Sequence, residues 1–135
     1  MMKLESVNEL RRRIERVEFR LRQMESLSRS GAIPVLDGMP RGQAQDSVVE
    51  RYAVKILEAE AELDELNEKL FEEQEHLLEE IYRRVENPIA AAVLVRRYVE
   101  GQMFKVIAVE LGCSEDSAYY FHRVGRKEFL RARAA

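Results

Sequence analysis

Residues 102–123 read Gln102-Met-Phe-Lys-Val-Ile-Ala-Val-Glu-Leu-Gly-Cys-Ser-Glu-Asp-Ser-Ala-Tyr-Tyr-Phe-His-Arg123. They predict two short helices that cross steeply around a tight turn, the helix-turn-helix arrangement. Ala108 is small enough for close helix contact, and Gly112 suits a turn that requires a positive φ. Ser114 is placed to cap the second helix through its side-chain oxygen. Apolar side chains fill the positions expected to be buried: Ile107, Leu111, Cys113, Ala118 and Phe121.

The second of these helices has an outward face suited to DNA. If Ala118 and Phe121 face inward, a step of about 100° per residue turns Tyr120 and Arg123 outward. Such a helix fits the major groove, where basic side chains bind phosphates or guanine edges and tyrosines reach phosphates or thymine methyl groups. His122 is expected to be a packing residue. The predicted DNA-binding residues are Ser114, Ser117, Tyr119, Tyr120, Arg123, Arg126 and Lys127.

A third short helix is predicted just before this motif. Asn87-Pro88 marks its start, because the residue before a proline avoids helical geometry and proline suits a first helical turn. The helix is expected over 89–100 and to end at Gly101, with Arg96 and Arg97 on its outer side. Residues 88–135 are therefore predicted to form a three-helix DNA-binding head. The expected inner side of the new helix consists of Ile89, Ala92, Val93 and Val95 or Val99.

Two heptad seams precede the head. One predicts a helix over 3–27 and the other a longer helix that starts near Asp46, with a loop rich in Gly and Pro between them. Residues 1–87 are therefore predicted to form a long antiparallel helical hairpin, and the whole chain to be all-α. The second helix is predicted to be longer than the first, so the apolar seam at its end lacks a partner within the chain. A homo-oligomer, most simply a dimer, is therefore expected. The predicted oligomerisation residues are Val49, Ile56, Leu63, Leu66 and Leu70.

Composition and charge agree with long charged helices. Charged residues make up 35% of the chain and aromatic residues 7%, with no Trp. The net charge is +3 over residues 1–44, −9 over 45–87 and +3 over 88–135. A basic first helix and an acidic second helix suit each other as the two arms of a hairpin. An anionic partner is expected at one end of the chain and not in its middle.

Several functional classes are disfavoured by the sequence. No stretch approaches the roughly 20 apolar residues of a membrane span, and one cysteine, Cys113, indicates a reducing cytoplasm. Nucleotide-binding glycine loops, hydrolase elbows and zinc spacings are absent from the sequence, so no enzyme activity and no cofactor are expected. Glu73 and His76 have the spacing of a di-iron helix, but a single copy predicts a solvated face and no metal.

The head resembles a known family. Val106-Ile-Ala-Val-Glu-Leu-Gly-Cys-Ser114 resembles region 4 of sigma-70 factors. The whole layout is similar to phage and prophage regulators of the ArpU/RinA type, which place a long helical hairpin before such an end. Gly38-Met-Pro-Arg-Gly42 and Ala118-Tyr-Tyr-Phe-His122 also resemble them. The resemblance implies a transcription regulator that binds double-stranded promoter-like DNA, with RNA polymerase as a candidate second partner.

One departure from that family keeps other functions open. Glu115 and Asp116 occupy places where basic residues are usual; they suit the positive end of the helix dipole but repel phosphate. One alternative is an interaction protein whose head contacts RNA polymerase or another protein. A second alternative is a phage packaging adaptor, in which the head recognises a packaging site and the coils form a ring.

Overall fold

The computed structural model describes residues 3–30 and 41–134, with side chains for 3–29 and 50–132. Every regular element in this part of the chain is helical, so the predicted all-α class is confirmed there. The elements are α1 (Ser6–Ser30), α2 (Arg41–Arg84), α3 (Pro88–Leu94), a π-helical turn (Val95–Val99), α4 (Phe104–Leu111) and α5 (Glu115–Ala134).

The first helix is shifted three residues along the chain from its predicted position, and the second begins earlier than the sequence predicts. α1 continues past Leu27 to Ser30, and α2 begins at Arg41 instead of near Asp46. Arg29 lies in the last turn of α1, where a cation is favoured by the helix dipole, and its side chain reaches Glu25 one turn earlier. The glycine and proline residues between the helices therefore predicted too long a loop, because both ends of the predicted loop are helical. The apolar loop residues from Ile33 to Met39 lie outside the described residues.

The chain forms two compact units that do not divide at the predicted boundary between residues 87 and 88. One unit contains the residues up to Leu10 together with those from Leu70 onward, and the other is Arg11–Lys69. Pro88 marks the start of a helix within the first of these. Its first turn is held by Asn87, whose side-chain oxygen accepts from the backbone N–H of Ile89 (3.0 Å) and Ala90 (3.1 Å).

In the unit Arg11–Lys69, parts of α1 and α2 bury one seam each. The side chains buried there are Ile14, Val17, Met24, Ala59 and Leu66. An exposed ion pair joins the two helices, with Arg20 Nη2 2.8 Å from Glu62 Oε2. Basic α1 and acidic α2 therefore make at least one of the charge contacts that the sequence predicts.

The core of the other unit is built from chain segments distant in sequence. Its buried residues come from the start of α1, the end of α2, α3, the π-helical turn and α5. Phe129 of α5, 1% exposed, is the largest of its fully buried side chains, and Arg84 lies over its ring at 4.7 Å. The cluster consists of Leu4, Val7, Leu77, Ile81, Val85, Ala90, Ala91, Leu94, Val95, Tyr98, Val99 and Phe129.

The predicted inner side of α3 is wrong in part. Ile89 is 48% exposed, and Ala90, Ala91 and Leu94 are buried instead. The buried face of α3 is the one that packs closely on α5, since a Cβ on Gly125 would lie only 3.2 Å from the carbonyl oxygen of Ala90.

A single α-helix over 89–100 is also wrong. From Val95 the helix becomes a wider π-helical turn, in which the hydrogen bond spans five residues: Glu100 N donates to Val95 O at 3.0 Å.

Candidate nucleic-acid interface

The turn between α4 and α5 has the local geometry that its residues predict. Gly112 ends α4 with φ 67° and ψ 34°, so the expected positive φ is confirmed. The backbone N–H of Cys113 donates to Ala108 O at 2.9 Å. Ile107, Ala108 and Ala118 are 0%, 4% and 0% exposed, which places small or apolar groups where the two helices meet. Leu111, Cys113 and Phe121, expected to be buried, are only half-buried.

Ser114 and Ser117 close the first turn of α5. Ser117 N donates to Ser114 Oγ at 3.1 Å, which is the predicted cap, and the two hydroxyl oxygens lie 3.0 Å apart. Both residues were predicted to bind DNA. The Ser114 hydroxyl therefore caps the start of α5, and the Ser117 hydroxyl is hydrogen-bonded to it.

Three predicted DNA-binding residues form an exposed stripe along α5. Tyr120 is 54% exposed, and Arg123 and Lys127 follow at spacings of three and four residues on the same side. Neither Arg123 nor Lys127 forms an ion pair within the part of the chain that the structure describes. Two cations and a phenol hydroxyl thus point to solvent from one helix face, a combination suited to phosphate oxygens.

Tyr119 stands beside this stripe and is held by a ring contact. Its ring stacks on that of Phe104 with centroids 4.2 Å apart, and the residue is 45% exposed. The guanidinium carbon of Arg97 lies over the Phe104 ring, 4.7 Å from its centroid. Arg97, expected on the outer side, is half-buried and donates to the carbonyl of Gln102 at 3.0 Å. Tyr119 is therefore positioned by α4.

Arg126 points away from the exposed stripe. Its Nη1 donates to Tyr98 Oη at 2.9 Å and lies 3.4 Å from Glu5 Oε1. The hydrogen bond to Tyr98 is the main cause that raises the pKa of Arg126 above its usual value, and Glu5 adds to it. Of the predicted DNA-binding residues, Arg126 is the one whose charge is partly neutralised inside the molecule.

His122 packs inward, as expected, and joins the same network. Its Nε2 lies 2.6 Å from Tyr98 Oη, its ring stacks on Tyr98, and it meets Phe104 edge-on. Burial is the main cause that lowers the pKa of His122, and Arg126, Arg97 and Arg123 lower it further by repulsion. The roles of Glu5 and Tyr98 were missed, since partners 121 and 24 residues away leave no local pattern.

α4 adds an apolar surface to the charged one. Val109 is 78% exposed and Met103 64%, with Val106 between them at 39%. Glu110, four residues after Val106 and therefore next to it on the helix, is paired with Arg96. Glu115 and Asp116, at the start of α5, are exposed. This part of the unit therefore offers both a cationic stripe and an apolar, partly acidic surface.

The predicted oligomerisation residues lie mostly inside the chain's own packing. Leu66 is 5% exposed in the unit Arg11–Lys69, where Ile56 and Leu63 are half-buried. Leu70 packs against the core of the other unit. The side chain of Val49 lies outside the described residues. The side chain of Leu66 is therefore buried within one copy and leaves little surface for contact with a second copy.

Three further observations concern partners and relatives. In the ranges 3–30 and 41–134, no group of three or more His, Cys, Asp or Glu residues is arranged to hold a metal ion. None of the described helices combines the length and apolar character that a membrane crossing requires. Comparison of the chain with family models, with curated proteins and with solved structures gives no match.

Proposed function

We propose that this chain is a sequence-specific DNA-binding transcription regulator that acts in the cytoplasm on phage or prophage genes. The segment 114–129, which consists of the capping Ser114 and the following residues of α5, would read the DNA. The observation that carries the proposal is the exposed stripe of Tyr120, Arg123 and Lys127 on a helix whose opposite side is anchored by buried Ala118 and Phe129. Such a helix offers a rigid cationic surface without displacing its own core.

The proposed architecture is a long antiparallel hairpin followed by a helix-turn-helix head. In such heads the second helix lies in the major groove and the first crosses the backbone. Arg123 and Lys127 would contact phosphates or guanine edges, and Tyr120 a phosphate or a thymine methyl group. Arg126, bonded to Tyr98 and Glu5, would add to the positive field and fix the rotation of α5.

The acids at the start of α5 bear on affinity. Glu115 and Asp116 stabilise the positive end of the helix dipole, but they repel phosphate. We therefore expect modest affinity for a single head. Homo-oligomerisation would raise the apparent affinity by bringing two heads to one duplex.

Salt dependence tests the proposal directly. We expect binding to a random duplex at about 50 mM salt, and an affinity that falls steeply as salt rises, because phosphate contacts release counterions. Arg123→Ala with Lys127→Ala should weaken binding and flatten the salt slope by about two contacts. Fluorescence anisotropy at several salt concentrations measures both. Selection of bound fragments from phage and bacterial genomic DNA would then reveal any preferred sequence.

A matched control removes the same charge elsewhere. Arg13 and Lys69 are exposed residues of the other unit, so Arg13→Ala with Lys69→Ala changes the net charge equally. This variant should keep the wild-type salt slope. Equal losses in the two double variants would mean that net charge, and not the α5 stripe, governs binding.

A second candidate function is protein contact through α4. The observation that favours it is the apolar exposure of Met103, Val106 and Val109 beside the exposed acids Glu115 and Asp116. This surface suits a protein such as RNA polymerase, either in a regulator or in a packaging adaptor. No duplex binding at about 50 mM salt, together with polymerase capture that Val109→Gln abolishes, would favour this function over DNA binding.

A further inference from the structure

The outer face of α1 in the unit Arg11–Lys69 carries an exposed aromatic ring among arginines. Phe19 lies about 180° around the helix from the buried side chains Ile14, Val17 and Met24, and it is 58% exposed. Together with Arg12, Glu15 and Arg16 it lines a shallow depression. Arg22, one turn further on, is also exposed. We call this surface the α1 outer face. It consists of the exposed Phe19 ring and the mostly basic residues around it, Arg12, Glu15, Arg16 and Arg22.

α2 carries a complementary surface in the same unit. Positions 50, 54, 57, 61, 64 and 68 recur at spacings of four and three, so they form one stripe along the helix. Val54 and Leu57, 54% and 65% exposed, form its apolar part with exposed Ala61. The other members are acidic, so this α2 outer face has an apolar centre within a negative rim. Its residues are Glu50, Val54, Leu57, Ala61, Asp64 and Glu68.

The charges of the two helices are equal and opposite in this unit. Residues 11–30 contain seven basic and three acidic residues, a net charge of +4. Residues 50–69 contain three basic and seven acidic residues, a net charge of −4. Pairing two α1 outer faces would set arginines against arginines, and pairing two α2 outer faces would set carboxylates against carboxylates. Only the mixed pairing is favoured by charge.

We propose that the α1 outer face of one copy of this chain packs on the α2 outer face of a second copy. Phe19 would lie against Leu57 and Val54, while the arginines around it face the glutamates of the other copy. An aromatic anchor in an apolar centre with a charged rim is the usual anatomy of a protein interface. This contact does not depend on the proposed function, since the DNA-reading helix belongs to the other unit.

The contact differs in kind from a two-fold dimer. It joins unlike surfaces, so each pair of copies leaves one α1 outer face and one α2 outer face free, and association continues into a closed ring or an open filament. It also differs from the predicted oligomer seam, because Leu66 is buried and Ile56 and Leu63 are half-buried within one copy.

Two neutral substitutions test the contact. Phe19→Gln removes the anchor from the α1 outer face, and Leu57→Gln interrupts the apolar centre of the α2 outer face; both replaced side chains are more than half exposed, so the fold should persist. Wild-type chain at about 100 μM in low salt should sediment as a species larger than a monomer, and each variant should associate about tenfold or more weakly. High salt should also weaken wild-type association, because the charged rims are screened.

Mixing the two variants gives the sharpest readout. The Phe19→Gln chain keeps an intact α2 outer face and the Leu57→Gln chain keeps an intact α1 outer face, so an equimolar mixture should form a heterodimer that cannot grow. Val109→Gln, at an exposed apolar residue of the other unit, is the matched control and should associate like wild type. A monomeric wild type at this concentration, or a mixture that stays monomeric, would overturn the proposal.

Discussion

Gly125 shows how one missing methyl group sets the distance between two helices. It is buried in the middle of α5 and faces Leu94 and the carbonyl oxygen of Ala90 on α3. A Cβ built on it would lie 2.9 Å from Leu94 Cγ and 3.2 Å from that oxygen, both closer than ordinary contact. Leu94 is 0% exposed and belongs to the buried cluster, so its side chain cannot turn out into solvent to relieve the contact. The glycine is therefore a packing residue, although glycine weakens helices.

Gly125→Ala should destabilise the protein. Alanine gains about 1 kcal/mol in helix propensity, but overpacking costs about 1–3 kcal/mol, so we expect a net loss of about 1 kcal/mol in the free energy of unfolding. Urea titration measures it. In a Leu94→Ala background the closest contact, with Leu94 Cγ, is absent and only the one with the Ala90 oxygen remains, so the same change should cost clearly less or become neutral. A loss of equal size in both backgrounds would contradict the packing explanation.

The π-helical turn and α5 are joined by a chain of hydrogen bonds at the scale of the element. Arg126 donates to Tyr98 Oη, which leaves the tyrosine hydroxyl proton free to donate to Nε2 of neutral His122. The wider turn at residues 95–99 buries Tyr98 and Val99 together with Val95. Protonation of His122 would remove its acceptor and add a charge near Arg97, Arg123 and Arg126.

His122 should therefore make stability depend on pH. Its pKa is lower in the folded chain than the ordinary value of 6.5, so the unfolded state binds the proton more readily. This stability contribution is present above pH 6.5 and is lost as the pH falls below that value toward the folded pKa. Urea titrations between about pH 7 and pH 5.5 should show a falling free energy of unfolding.

The control for this pH dependence is the exposed histidine of α2. His122→Gln should reduce the fall in unfolding free energy over that range, whereas His76→Gln should leave it as in wild type. An unchanged slope in His122→Gln would mean that carboxylates, and not this imidazole, govern the acid response.

At the scale of the whole molecule, the start of α1 and α5 belong to one compact unit. Val7 is 0% exposed within the cluster that contains Phe129, and Asn8 Nδ2 donates to the carbonyl of Arg97 at 3.3 Å. Glu5 reaches Arg126, as described above. A head cut at residue 88 would lack Leu4 and Val7 as well as the end of α2. We therefore expect the isolated 88–135 fragment to be unstable.

Val7→Ala should loosen α5 although the two are far apart in sequence. Removing a fully buried Val side chain leaves a small cavity, and we expect a loss of about 2 kcal/mol in the free energy of unfolding. Hydrogen exchange should be faster in α5 amides as well as in α1. Val54→Ala makes the same change at a residue that is 54% exposed, and should alter stability little. Exchange in α5 that matches wild type would contradict a shared core.

The sequence alone determined the elements whose signals are local. Apolar spacing placed the seams of α1 and α2, Asn87-Pro88 placed the start of α3, and Gly112 with Ser114 placed the turn before α5. Each depends on backbone geometry or on neighbours within a few residues, and is therefore visible in the order of the residues. Which face of α3 is buried, and the π-helical turn after it, were not predictable in this way.

Tertiary structure alone decided which side chains are free to act. Arg123 and Arg126 are equivalent in sequence terms, yet one is exposed and the other is bonded to Tyr98 and Glu5. Leu66 was predicted to be an oligomerisation residue but is buried within one copy, while Phe19 and Leu57 are exposed. The physical reason is that burial and ion pairing depend on partners many residues away, which only the packed chain brings together.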